Sequence, residues 1–142
     1  MEGRSPGEGG VPYTLLPHTG DLAVWVRGRD LPELFVNAAL ALFDIMTTPP
    51  VEATRERQVT LDAVDTEALL VDWLNALLLL HESEGETYTR FVLDAFTPTH
   101  LSARVCGGPT AEKTLVVKAA TYHELHITPV DGGVEVTVVF DI

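Results

Sequence analysis

Cysteine is almost absent: Cys106 stands alone among 142 residues, which excludes an internal disulfide and any zinc site built from several thiolates. Basic residues are scarce too. Nine Lys and Arg face 21 Asp and Glu, a formal charge of −12, and a surface of that sign repels phosphate backbones, so broad direct RNA binding is excluded as the main activity. The same field favours a basic partner or a bound cation. No apolar run is long enough to cross a bilayer, since the longest, 69–80, is broken by Asp72 and Asn75. Residues 1–10 (MEGRSPGEGG) are Gly-rich with no apolar segment, unlike a secretory leader, and are expected to be a disordered tail. What remains reads as one cytoplasmic domain over 11–142, its 46% hydrophobic content sufficient for a single core.

Hydrophobic spacing sets the elements. Tyr13 to Leu16 and Leu22 to Arg27 read as strands separated by the polar turn Pro17-His18-Thr19-Gly20-Asp21. Asp30 with Glu33 three residues on makes a capping box, and Leu31, Leu34, Phe35, Ala38, Leu42, Phe43 and Met46 then share a helical face until Thr47-Thr48-Pro49-Pro50. A strand over Arg57 to Val64 follows. Asp65 is placed to cap a second helix through Leu69, Leu70, Trp73, Leu74, Leu77 and Leu78, ending before Gly85. Only Asp72, Asn75 and Glu82 form a polar strip on it, which marks the core helix. Five further strands are expected, at Arg90–Phe96, Leu101–Cys106, Thr114–Ala119, Leu125–Thr128 and Val134–Phe140, the last two joined by Asp131-Gly132-Gly133. Two main helices packed on mostly antiparallel strands give an α+β fold.

Several enzyme classes lack support. Gly107-Gly108 and Asp131-Gly132-Gly133 have neither the following helix nor the Lys-Ser/Thr of a nucleotide loop, and Ser83 and Ser102 lack a nucleophile elbow. No catalytic residues are assigned. Asp21 begins one strand and Asp141 ends another, one residue before Ile142. If those strands are neighbours, two carboxylates and the Ile142 α-carboxylate gather around one hard cation of the Ca²⁺ or Mg²⁺ type. Spacing leaves the ordinary reading open, a turn hydrogen bonder and a solvated terminal residue. The segment Lys118-Ala119-Ala120-Thr121-Tyr122-His123-Glu124-Leu125 collects a cation, hydroxyl, phenol, imidazole and carboxylate. It is either a polar site or a connecting loop, and His18 is likewise a ligand or a turn residue.

Five motifs in order resemble the archease family over roughly residues 11 to 142. His18-Thr19-Gly20-Asp21-Leu22 is similar to its His-Thr-Ala-Asp-Ile/Val element, with Gly20 where Ala is usual. Gly28-Arg29-Asp30-Leu31 with Leu34-Phe35 and Asn37-Ala38-Ala39 resembles its first helix, and Leu69 to Leu78 its second. Lys118 to Leu125 and Val138-Val139-Phe140-Asp141-Ile142 complete the set. The resemblance implies a strand-helix-strand-strand fold with an insertion, and a protein cofactor, not an enzyme, that assists an RtcB-type tRNA-splicing ligase by promoting its guanylylation and multiple turnover. It implies a metal site at Asp21, Asp141 and Ile142, with Ca²⁺ expected and Mg²⁺ or Mn²⁺ as alternatives. Lys118 and His123 belong to the Lys-Ala-x-Thr-Tyr-His segment and, with His18, form a candidate functional surface; tRNA is met only through the ligase. The alternative is a chaperone-like modulator of an RNA methyltransferase. A metal-dependent hydrolase has the least support, because no general base is recognisable beyond His18 or His123.

Overall fold

Leu22, Val24 and Val26 alternate with Ala23, Trp25 and Arg27 because successive side chains of a strand point to opposite faces of its sheet. The computed structural model describes residues 13–16 and 20–142, so His18 lies outside the described residues. Strand β1 (Tyr13–Leu16) pairs antiparallel with β2 (Leu22–Gly28), and β2 pairs along its whole length with β8 (Gly133–Asp141). On the other edge of β8, β7 (Thr128–Val130) covers the beginning and β6 (Ala119–Ala120) the end. A second antiparallel sheet is ordered β3 (Arg55–Asp62), β5 (His100–Pro109), β4 (Glu86–Thr97). In β4 the register slips at Thr89 and at Asp94, giving that edge strand two bulges.

Two helices lie against these sheets, and the α+β architecture is the one expected. Helix α1 (Leu31–Met46) opens with the Asp30 carboxylate accepting from the Glu33 N–H at 2.9 Å. Glu33 in turn accepts from the Arg29 N–H at 2.8 Å, one residue before the cap. Helix α2 (Thr66–Glu84) is capped by Asp65 on the Ala68 N–H at 2.8 Å and closes at Gly85 in the left-handed region, its N–H on the His81 carbonyl. Leu34, Phe35, Leu69, Leu70, Trp73, Leu74 and Leu77 are fully buried and join strand residues such as Val24, Val105 and Val138 in one hydrophobic cluster. The indole N–H of Trp73 donates to the Phe35 carbonyl at 2.9 Å, tying α2 to α1.

Several strand expectations need correction. The strand expected at Arg57 to Val64 runs two residues earlier at each end. Thr114–Ala119 and Leu125–Thr128 are mostly irregular, with only Ala119–Ala120 and Thr128–Val130 paired. Their alternation is real, but β2 fills one edge of β8 and two short strands share the other. Instead, the segment satisfies itself on the end of α1: the Thr114 and Leu115 N–H groups donate to the Met46 carbonyl and the Thr114 hydroxyl to that of Ile45. These are carbonyls a helix terminus leaves without intrahelical partners. The hairpin turn at residues 131–132 forms as expected, with Gly132 at φ +78, a conformation that favours glycine.

Candidate metal-binding site

The β2–β8 register decides where the acidic residues fall. Leu22 faces Phe140 in that ladder, so Asp21, in the bend just before Leu22, and Asp141, just after Phe140, both lie at the same end of the pair. Gly20, at φ +76, turns the chain into Asp21 through a conformation that alanine adopts only under strain, so glycine at the place of the usual alanine suits this turn. Asp21 is half-buried, while Asp141 and Ile142 are exposed.

On the far edge of β8 lies the Lys118 segment. The Lys118 N–H donates to the Asp141 carbonyl at 2.8 Å, Ala119 faces Asp141 across the β6–β8 pair, and the Thr121 N–H and hydroxyl both donate to the Val139 carbonyl at 3.0 and 2.8 Å. Asp141 is therefore held by the Lys118-Ala119 backbone on one edge, while the β2 edge of β8 ends its pairing one residue earlier, at Phe140. His123 stands further along, in a turn closed by the Leu125 N–H on the Tyr122 carbonyl; its Nε2 lies 3.4 Å from a Glu124 carboxylate oxygen. Glu124 holds φ +49, rare for a residue with a side chain. The Tyr122 phenol is pushed up from its ordinary pKa, first by desolvation and then by the charges of Asp72 and Asp65.

Among the described residues no group of three or more His, Cys, Asp or Glu side chains gathers for a metal. A cation at this corner would take two aspartate side chains plus main-chain and water oxygens. That donor set is all hard oxygen and fits Ca²⁺ or Mg²⁺ rather than a soft metal.

From sequence, Asn75 belongs to the narrow polar strip on α2, with no partner assigned to it. Its amide instead holds Ala120 from both sides, Oδ1 accepting from the Ala120 N–H at 2.8 Å and Nδ2 donating to the Ala120 carbonyl at 3.2 Å. An amide within a run of leucines was the available signal, because a half-buried amide needs partners.

Fold and site together define a small acidic α+β protein in which an aspartate lies just beyond each end of the last β2–β8 pair, Leu22 and Phe140. Residues 13–142 match the model of the archease protein family, and the chain belongs to that family. It is 37% identical over 131 residues to the protein archease of Methanothermobacter thermautotrophicus, covering 87% of this chain and 94% of that one. With the protein archease of Methanosarcina mazei it shares 34% over 142 residues, covering 94% and 97%. The solution structure of a Methanobacterium thermoautotrophicum protein superposes with a TM-score of 0.71 at 32% identity, over 92% of this chain and 98% of that one. A crystal structure of an archease, possible chaperone, from Thermotoga maritima shares the fold, with a TM-score of 0.66 at 23% identity over 89% and 94%.

Proposed function

We propose that this protein is a non-catalytic accessory factor of an RtcB-type RNA-splicing ligase, and that it promotes guanylylation of the ligase through the corner formed by Asp21, Asp141 and Ile142. The observation that supports the reading is the β2–β8 register, whose last pair, Leu22 and Phe140, has Asp21 and Asp141 as the next residues along the two chains, in a family member. Two carboxylates at one end of a strand pair repel unless a cation offsets them, and the main-chain oxygen of Ile142 supplies a third donor. When bound, a Ca²⁺ ion supplies fixed positive charge in which phosphate oxygens can be oriented.

The chain's own residues do the rest. Asp21 and Asp141 hold the corner, the Thr121 hydroxyl fixes the neighbouring segment to β8, and the Lys118 main-chain N–H ties that segment to the Asp141 carbonyl. The net charge of −12 steers the protein toward a basic enzyme surface and away from RNA. The test is GTP-dependent guanylylation of the ligase with and without this protein, repeated with Asp21→Ala and Asp141→Ala. Stimulation by the wild type and its loss in both variants is expected. Full stimulation by both variants contradicts the metal-centred reading.

A further inference from the structure

A side-chain amide can stand in for a strand. The peptide unit offers one N–H and one C=O, and an asparagine offers the complementary acceptor and donor on one rigid plane. Ala120 lies on the outer edge of β6, beyond which the sheet has no further strand among the described residues. Its N–H and C=O face away from β8 and meet Oδ1 and Nδ2 of Asn75. The amide orientation follows from the partners, since only Oδ1 accepts from an N–H and only Nδ2 donates to a carbonyl.

Besides this amide, the stretch meets α2 through the buried side chains of Val117 and Ala120, which join the core cluster. Its remaining main-chain bonds run to β8, from Lys118 to Asp141 and from Thr121 to Val139. Just before it, Val116 is 63% exposed, and a groove of about 540 Å³ opens between Val116, Val117, Lys118 and the Leu78, Leu79 and Glu82 side of α2. Apolar packing of that kind is not directional, so without the amide a two-residue strand beside an open groove has no polar tie to the helix that fixes its register.

We propose that Asn75 is a positioning residue: its amide acts as a surrogate strand for Ala120 and locks Lys118 to Thr121 in register with Asp141. It touches neither aspartate and acts through the backbone it holds. Other residue types fail for stated reasons. Leucine has a similar shape but neither polar group, and aspartate keeps the acceptor for the Ala120 N–H while setting a carboxylate oxygen against the Ala120 carbonyl. The consequence for ligase stimulation rests on the accessory-factor reading above; the consequence for the backbone does not.

The experiment uses the full chain with Asn75→Leu, Asn75→Asp and, as a control on the same helix face, Glu82→Gln. Amide hydrogen exchange at Ala120, Ca²⁺ titration by calorimetry and stimulation of ligase guanylylation are measured on each. With Asn75→Leu, exchange at Ala120 should rise at least about tenfold, Ca²⁺ affinity should stay within about threefold, and stimulation should fall at least about fivefold; Glu82→Gln should match the wild type throughout. Asn75→Asp, which retains one of the two bonds, should give intermediate exchange and the same loss of stimulation. Unchanged exchange at Ala120 overturns the proposal, and so does faster exchange with full stimulation. If the wild-type chain does not stimulate the ligase, the accessory-factor reading fails, while the exchange result still decides whether Asn75 holds the strand.

Discussion

Glu86 keeps its charge at 1% exposure because its two oxygens are surrounded by donors. Arg57 reaches it through Nε at 3.0 Å and Nη2 at 2.8 Å, Arg55 at 3.2 Å and the Tyr88 phenol at 2.6 Å. The Arg57 hydrogen bonds, opposed by burial, hold its carboxyl at about 2 against an ordinary 4.5. A depressed folded pKa means that this stabilisation is complete above the unfolded value and is lost as pH falls from about 4.5 toward 2. Urea unfolding should show Glu86→Gln less stable than the wild type by on the order of 3 kcal/mol at neutral pH. The gap should close near pH 2; a gap independent of pH would contradict the charge network. Glu124 makes the opposite prediction. Its φ of +49 costs on the order of 1 kcal/mol that glycine avoids, so Glu124→Gly should raise the thermal midpoint by a few degrees. A lower midpoint would show that the contact with His123 outweighs the strain. Neither feature was legible in the sequence, because Glu86 and its arginines are about thirty positions apart and nothing local marks them as partners. Asp21 and Asp141 were singled out by their strand ends and by resemblance to family motifs.

The helices were the legible elements. Asp30 and Asp65 are the caps their spacing implied, and Leu69 to Leu78 form the buried helix that an almost unbroken apolar surface demands. Trp73 is fully buried, donates to Phe35 and meets the Phe91 ring edge-on at 6.0 Å. Chemical denaturation of Trp73→Ala should therefore show a loss of about 3–5 kcal/mol, and of Asp65→Ala about 1 kcal/mol. Values near zero for Trp73→Ala would mean that α2 is not the core helix. The segment between β5 and β7 was harder to read. Thr114 to Ala119 has the composition of a strand, yet its place is decided by which carbonyls at the end of α1 and which edge of β8 remain open. Those are properties of the finished fold. Glu86 to Thr89 extend β4 beyond its expected start at Arg90 for a similar reason, since an arginine on β3 neutralises the glutamate.

At the scale of the whole molecule, charge and topology agree. Strand order β1-β2-β8-β6 collects three family motifs, distant in sequence, at one corner: the Asp21 turn, the Lys118 segment and the Asp141 end. A net charge of −12 predicts that association with a basic ligase weakens as salt rises from 0.05 to 0.5 M, with negligible retention on RNA alone. Strong binding to bare RNA would contradict the partner reading. The central claim, that the two aspartates at this corner make a cation site, is tested most directly by calorimetric titration of Ca²⁺ into the wild-type chain and into Asp21→Asn and Asp141→Asn. The account predicts one equivalent bound by the wild type and at least about tenfold weaker binding by each variant. Undiminished binding in both variants, or no binding to the wild type, would contradict it.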